Sequence, residues 1–246
     1  MSSLLAEVRL DEWLSRMLER DAYSLAFDTI ANSPALGHEE ERELVRLSKL
    51  SPVFISAKVP PKESGLIRLL EQRGFHLVDT NLFFHKTVNC AENQSSVATI
   101  RFATPADEAE AIRIARSNFT YSRFHLDSQI PKEMANNLKA EWVRNYFSGQ
   151  RGDRLVVAEE EGLVVGFTLI ICDEAQKLIT IDLIATDMKY RRRGVAGNMV
   201  RFTEGAIKGY ERIMVGTQLA NTPSIKLYER LGFALQSASY VFHYHN

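Results

Sequence analysis

The sequence predicts an α/β (α+β) chain in which short strands alternate with amphipathic helices. Three observations carry this. Apolar runs of strand length recur, at residues 53–59, 154–159, 163–172 and 212–217. Stretches with helical apolar spacing lie between them and stop at glycines, as residues 64–72 do before Gly74 and residues 223–231 before Gly232. At the centre, residues 178–209 join an apolar strand to a helix through a polar turn, three arginines and Gly194-Val195-Ala196-Gly197.

Residues 1–50 are mixed; only Leu10, Leu14, Met17 and Leu18 keep helical spacing. A strand at 53–59 closes at Pro60-Pro61, a helix at 64–72 follows, and strands are expected at 75–78 and 81–88. Residues 89–96 are polar and aperiodic and read as a linker. A strand at 98–102 then leads to Thr104-Pro105-Ala106-Asp107, a helix start with a hydroxyl cap, proline and an acid in the first turn. Residues 119–131 read as a loop rich in aromatic and functional side chains. Residues 132–147 are helical, with Met134, Leu138 and Trp142 on one face. Two strands joined at Gly162 lead into the central stretch. Beyond it come a strand, a helix ending at Gly232, and strands at 233–236 and 239–244.

A repeat is present at an offset of 158 residues. Ile67 to Phe75 lies over Ile225 to Phe233, and the register carries Leu77 onto Leu235, Phe84 onto Phe242 and His85 onto His243. The organisation expected is an N-terminal partial copy at 1–92 and a complete domain at 97–246. The first copy has no counterpart of the arginine loop, and Glu63 and Leu70 replace Asn221 and Tyr228. One site per chain is therefore expected.

Composition excludes several classes. The chain has 246 residues and a net charge of −1, so no global basic field points to nucleic acid. No apolar run is long enough to span a bilayer and no secretory pattern opens the chain. Cys90 and Cys172 lack metal or redox spacing, which fits a reducing cytoplasm. No metal is expected. Neither a G-x-x-x-x-G-K-[ST] loop nor a G-x-S-x-G elbow occurs.

What remains is the loop Arg191-Arg192-Arg193-Gly194-Val195-Ala196, an R-x-x-G-x-A pattern after a buried strand. A helix starting there presents unpaired backbone N–H groups and the positive end of its dipole, which suit a phosphate. Strand, R-x-x-G-x-A loop and helix, followed by V-G-T-Q-x-x-N-x-x-S-I-K-L-Y-E-R-L-G-F, resemble the GCN5-related N-acetyltransferases over residues 98–245. The resemblance implies a mixed central sheet splayed after its fourth strand, with acetyl-CoA in the gap. It implies that Leu183, Ile184 and Ala185 offer main-chain bonds to pantetheine. Arg191, Arg192, Arg193, Gly194, Val195, Ala196 and Gly197 would hold the pyrophosphate, Asn221 would contact the cofactor, and Tyr228 would place its hydroxyl near the sulfur.

Direct transfer needs a neutral amine, a polarised thioester carbonyl and a proton for the thiolate. A phenol suits the last task. For the base, Asp182 interrupts an apolar strand, where a carboxylate is costly unless paired or used; it reads either as a relay for the amine proton or as an anchor for a loop amide. His125 is the other candidate. On the acceptor side, Tyr121, Arg123 and His125 lie in the loop ahead of a helix carrying Glu141-Trp142. S-R-F-H and this helix resemble members of the family that N-acetylate dTDP-4-amino-4,6-dideoxygalactose for surface polysaccharide, while Leu126-Asp127-Ser128-Gln129 departs from them. The acceptor expected is a nucleotide-linked amino sugar. A peptide α-amine, a polyamine and a non-catalytic acyl-CoA-binding role remain open, and a homodimer is compatible with the sequence.

Overall fold

The computed structural model describes residues 5–27, 38–88 and 98–246; the linker expected at 89–96, with Cys90, lies outside them. The first segment forms β1 (Leu5–Leu10), α1 (Glu12–Leu18), β2 (Asp21–Phe27), α2 (His38–Ser48), β3 (Val53–Val59), α3 (Ser64–Gln72) and β4 (His76–Thr87). The second forms β5 (Thr99–Phe102), α4 (Glu108–Asn118), α5 (Arg123–Leu126), α6 (Lys132–Phe147), β6 (Arg154–Glu160), β7 (Leu163–Asp173) and β8 (Leu178–Thr186). It ends in α7 (Val195–Ala206), β9 (Arg212–Gln218), α8 (Thr222–Arg230) and β10 (Ala234–His245). All strands join one mixed sheet in the order β1-β2-β3-β10-β4-β9-β8-β7-β6-β5. β2 with β3 and β8 with β9 are parallel; the other neighbours run antiparallel.

The order shows an exchange. β4 pairs with β9 of the second segment, and β10, the last strand of the chain, inserts between β3 and β4. Strands were expected in pairs at 75–78 with 81–88 and at 233–236 with 239–244. Each pair is instead one strand of 12 residues. The polar positions that suggested turns sit mid-strand because β4 and β10 pair with each other there, Asp79 with Val241, Thr80 with Tyr240 and Ser237 with Phe83. Irregularities at Leu235/Ser237 and Val241/Phe242 keep the register.

The repeat is visible in backbone detail. Glu63 and Asn221 cap α3 and α8 at φ −85°, ψ 60° and φ −86°, ψ 60°, and Gly74 and Gly232 both take φ 82° behind them. β4 and β10 then pair antiparallel with Asn81 opposite Ser239, its own repeat counterpart. The two copies therefore meet about a local twofold. Each helix packs on the strand of the other copy: Leu66 and Leu70 of α3 share a core with Phe242, and Tyr228 of α8 shares one with Leu82 and Phe84. Lys86 of β4 adds a buried ion pair, its Nζ 2.8 Å from Glu204 of α7. Each of these two cores therefore includes a strand of the other segment.

A buried carboxylate ties the exchange together. Asp127 follows α5 and accepts from His243 Nδ1 at 2.6 Å, His245 Nε2 at 2.8 Å and the Gln129 amide at 2.9 Å. His76 of β4 lies 3.7 Å from its other oxygen. A neutral imidazole facing a carboxylate must donate, so both strand β10 histidines carry their proton toward Asp127. His76, Asp127 and His245 place donor atoms within 4.8 Å of one another; both Asp127 oxygens and His245 Nε2 are engaged in hydrogen bonds, whereas His76 Nε2 has no hydrogen-bond partner among the described residues.

Candidate active site

The central stretch opens the sheet. β8 and β9 pair from Leu178/Arg212 only as far as Ile181/Val215, although both strands run on. The break coincides with a bulge: Ile170 faces Ile181 and Leu169 faces Leu183, leaving Asp182 unpaired on β8. An extra residue swaps the faces of a strand. Ile179 and Ile181 accordingly pack with Val195 and Met199, whereas Leu183 and Ala185 pack with α4 on the other side. Beyond Asp182 the β9-facing edge of β8 has no strand partner, and a cavity of about 1040 Å³ fills the gap.

The arginine loop closes one end of this cavity. α7 begins at Val195 behind Gly194, whose φ of 81° suits a residue without Cβ. The Asn198 amide makes the first helical bond, to the Gly194 carbonyl, so the amides of Val195, Ala196 and Gly197 are left free among the described residues. Gly166 lets the helix approach: a Cβ there would lie 3.0 Å from the Ala185 carbonyl and 3.3 Å from Val195. The three arginines divide their work. Arg191 donates to the carbonyls of Thr186 at 3.2 Å and Asn118 at 2.9 Å. Arg193 lies over the Tyr190 ring and 3.1 Å from Glu160. Arg192 has no side-chain partner among the described residues and is held at φ 64°, a conformation a non-glycine residue adopts at a cost of about 1 kcal/mol.

Asn221 and Tyr228 line the opposite wall. Asn221 caps α8, its Oδ1 accepting from the Ser224 amide at 3.3 Å. The Tyr228 ring is buried between Phe84, at 6.0 Å, and Phe233, at 5.7 Å; the residue lines the cavity, and its hydroxyl has no hydrogen-bond partner among the described residues. Burial pushes the phenol above its ordinary value, which keeps the proton on the oxygen.

The charge of Asp182 is accounted for. Arg151 grips its carboxylate through Nε and Nη2, both at 2.7 Å, and the Trp142 indole donates to it at 2.9 Å. Arg151 also lies 4.5 Å over the Trp142 ring. The partners are side chains of α6 and of the loop behind it, rather than the loop amide expected of an anchor. Of the acceptor-side residues, only Tyr121 reaches the cavity. What reads as a loop contains α5, which turns Phe124 into the core and carries Arg123 and His125 elsewhere. His125 is held through Nδ1 by Ser122 at 2.6 Å and through Nε2 by Asn136 at 3.1 Å. Burial pushes it below its ordinary value, so it is a neutral, spoken-for ring. Arg123 lies 4.6 Å over Phe124; burial lowers it to about 10, and the charges of Asp11 and Asp79 oppose that.

Two groups on the cavity wall escape sequence reasoning. Thr186 Oγ1 is buried without a partner among the described residues. Lys139 of α6 is 6% exposed, with its Nζ 4.4 Å over Trp142 and 5.2 Å over Phe119. The signal for it was a lysine within the buried stripe that holds Ala135, Leu138 and Val143.

A splayed parallel pair, a glycine-led loop of free amides and a buried phenol thus meet on one cavity. The Acetyltransferase (GNAT) family matches residues 110–233, half of the sequence, and the chain belongs to that family. Two relatives are more specific. The chain is 24% identical over 193 residues to the spore coat polysaccharide biosynthesis protein SpsD of Bacillus subtilis, a match covering 77% of this chain and 66% of that protein. It therefore spans just under two thirds of that relative's length. It is 23% identical over 216 residues to the dTDP-fucosamine acetyltransferase of Escherichia coli, covering 85% of this chain and 90% of that one. Among solved structures, a GCN5-related N-acetyltransferase from Sphaerobacter thermophilus superposes with a TM-score of 0.64 at 15% identity, over 97% of this chain and 76% of that one, which shows the fold. No helix among the described residues is long and apolar enough to cross a membrane.

Proposed function

We propose that this chain transfers an acetyl group from acetyl-CoA to the amine of a nucleotide-linked amino sugar, by direct attack within one ternary complex. The observation that carries the transfer is the union, on one cavity, of the unpaired β8 edge, the free amides of Val195–Gly197 and the Tyr228 hydroxyl. Acetyl-CoA supplies an activated acyl group. Leu183, Ile184 and Ala185 would bond its pantetheine arm along the open edge, and the loop amides with Arg192 would hold its pyrophosphate. Tyr228 would give its proton to the leaving thiolate.

The acceptor class rests on the relatives, whose names concern polysaccharide and dTDP-fucosamine. Tyr121 on the cavity wall fits it as a stacking surface. Arg123 lies off the cavity, within electrostatic reach of Asp11 and Asp79, and takes no part in this acceptor contact. The first segment acts as a partial copy without a cofactor loop, so its contribution is structural or on the acceptor side. Gly194 and Tyr228 have no active equivalents there, which gives one cofactor site per chain.

The test is thiol release from acetyl-CoA with dTDP-4-amino-4,6-dideoxygalactose beside an N-terminal peptide amine and spermidine. Turnover is expected with the sugar nucleotide at the highest kcat/KM. Preference for the peptide or spermidine overturns the acceptor assignment; tight acetyl-CoA binding without turnover of any amine overturns the catalytic one. A second expectation concerns the loop. Arg192→Ala should weaken acetyl-CoA binding about tenfold at low ionic strength, with the difference shrinking above ~0.5 M salt, because the contact is exposed and ionic. A titration showing equal loss at both salt concentrations would assign Arg192 a structural role instead.

A further inference from the structure

Among the described residues on the cavity wall, few side chains other than arginine and tyrosine can ionise. They are Asp182 and Lys139. Asp182 already accepts from Arg151 twice and from Trp142. His125 has both ring nitrogens in hydrogen bonds and is not on the wall. Lys139 is different. Its amine is more than nine-tenths buried, contacts two aromatic faces, and has neither a hydrogen bond nor a carboxylate within ion-pair distance among the described residues. It stands at the Asp182 end of the cavity, where β8 and β9 separate, since Trp142 touches both its ammonium and the Asp182 carboxylate.

We propose that Lys139 is the proton acceptor for the incoming amine. This inference rests on the transferase reading above and goes beyond it by assigning the base. The aromatic faces and the more distant Asp182 charge favour the ammonium, but no hydrogen bond or contacting carboxylate among the described residues offsets its loss of water. Burial pushes Lys139 down to about 8; the Asp182 charge opposes this, and Arg123 and Arg151 reinforce it. His125, within electrostatic reach on α5, stays neutral because of its own burial. A substantial fraction of Lys139 is therefore neutral at mildly alkaline pH, where a free sugar amine still arrives as ammonium.

The step balances as follows. The acceptor ammonium gives one proton to Lys139 Nζ. The freed nitrogen lone pair bonds to the thioester carbonyl carbon, and the C–S bond breaks toward sulfur. The thiolate takes the Tyr228 hydroxyl proton. The second proton shed by nitrogen returns to the tyrosine oxygen through solvent, and Lys139 loses its proton to bulk water before the next cycle. The net change converts one ammonium and one thioester into an amide, a thiol and a proton.

Two measurements on the full chain test this. Trace labelling with isotopic acetic anhydride between pH 6 and 11, read by mass spectrometry of the Lys139 peptide, is expected to give a midpoint near 8. A midpoint near the ordinary lysine value of about 10.4 overturns the proposal. The second compares Lys139→Arg and Lys139→Met, with dTDP-4-amino-4,6-dideoxygalactose as the acceptor. Both variants should lose about 100-fold or more in kcat, keep acetyl-CoA affinity within about twofold, and regain rate as pH rises toward the amine's own pKa. Arginine keeps the charge but cannot act as a base. Near-normal kcat and an unchanged pH profile in Lys139→Arg would make the residue a fixed cation and overturn the assignment. If the wild-type chain turns over no amine, the acceptor reading fails by itself, and the labelling midpoint still decides whether Lys139 is neutral at working pH.

Discussion

Tyr228→Phe is expected to lower kcat by two to three orders of magnitude while acetyl-CoA affinity stays within about twofold. The substitution removes one oxygen and leaves the ring between Phe84 and Phe233. Packing is therefore preserved, and the loss falls on the proton alone. Tyr228→Ala would confuse the two, because it would also empty a core position at an estimated cost of ~3 kcal/mol or more. Burial raises the phenol above its ordinary range, so it keeps its proton until a thiolate forms beside it. Steady-state kinetics with a separate binding titration checks the prediction. A parallel loss of affinity and rate would mean that the residue acts by packing.

The largest stability effect is expected at Asp127. Asp127→Ala should cost about 3 kcal/mol, on the order of 10 °C in Tm, because two imidazole N–H groups would lose their acceptor inside the protein. The pH dependence has a defined sign. Burial pushes His243 down to about 4 in the folded chain, against about 6.5 when unfolded. Between these values the unfolded chain binds more protons, so this stability is fully present above pH 6.5 and is lost as pH falls toward 4. For Asp127, burial raises the carboxyl, but the hydrogen bonds from His243 and His245 outweigh it and hold the carboxyl below the usual range. Its own contribution is lost in the acid, as pH drops through its unfolded value. Chemical denaturation at pH 7.5 and 5 checks the His243 point: the wild type should lose stability at pH 5, and Asp127→Ala should lose at least as much between the two pH values, because Asp127 is what raises His243 against its burial.

Where local chemistry is self-sufficient, the sequence is legible. β3, α3 and α6 begin and end where proline, glycine and apolar spacing place them. The same holds for the loop from Arg191 to Gly197, because a helix start stripped of side chains says what its backbone can bind. Legibility fails where a residue is explained by a distant partner. Asp79 and Asn81 look like a turn, yet both are buried mid-strand, Asp79 paired with β10 and Asn81 with both β10 and β9. β2 is missed because its buried positions, Ala22 and Leu25, do not alternate. The bulge at Asp182 has no local signature, and Arg151, which pairs with it, lies in the loop between α6 and β6. The Asp127 cluster joins a loop to the last strand across more than a hundred residues. The repeat marked which segments correspond but gave no sign that they exchange strands.

The central claim is that the gap between β8 and β9 is the acetyl-CoA site. Amide hydrogen exchange with and without acetyl-CoA tests it most directly. The amides of residues 183–185 and 192–197 are expected to slow by about tenfold or more at saturating acetyl-CoA, while those of β1 and β2 at the far edge of the sheet stay unchanged. Protection confined to other segments, or none in these two when binding is saturated, would contradict the account.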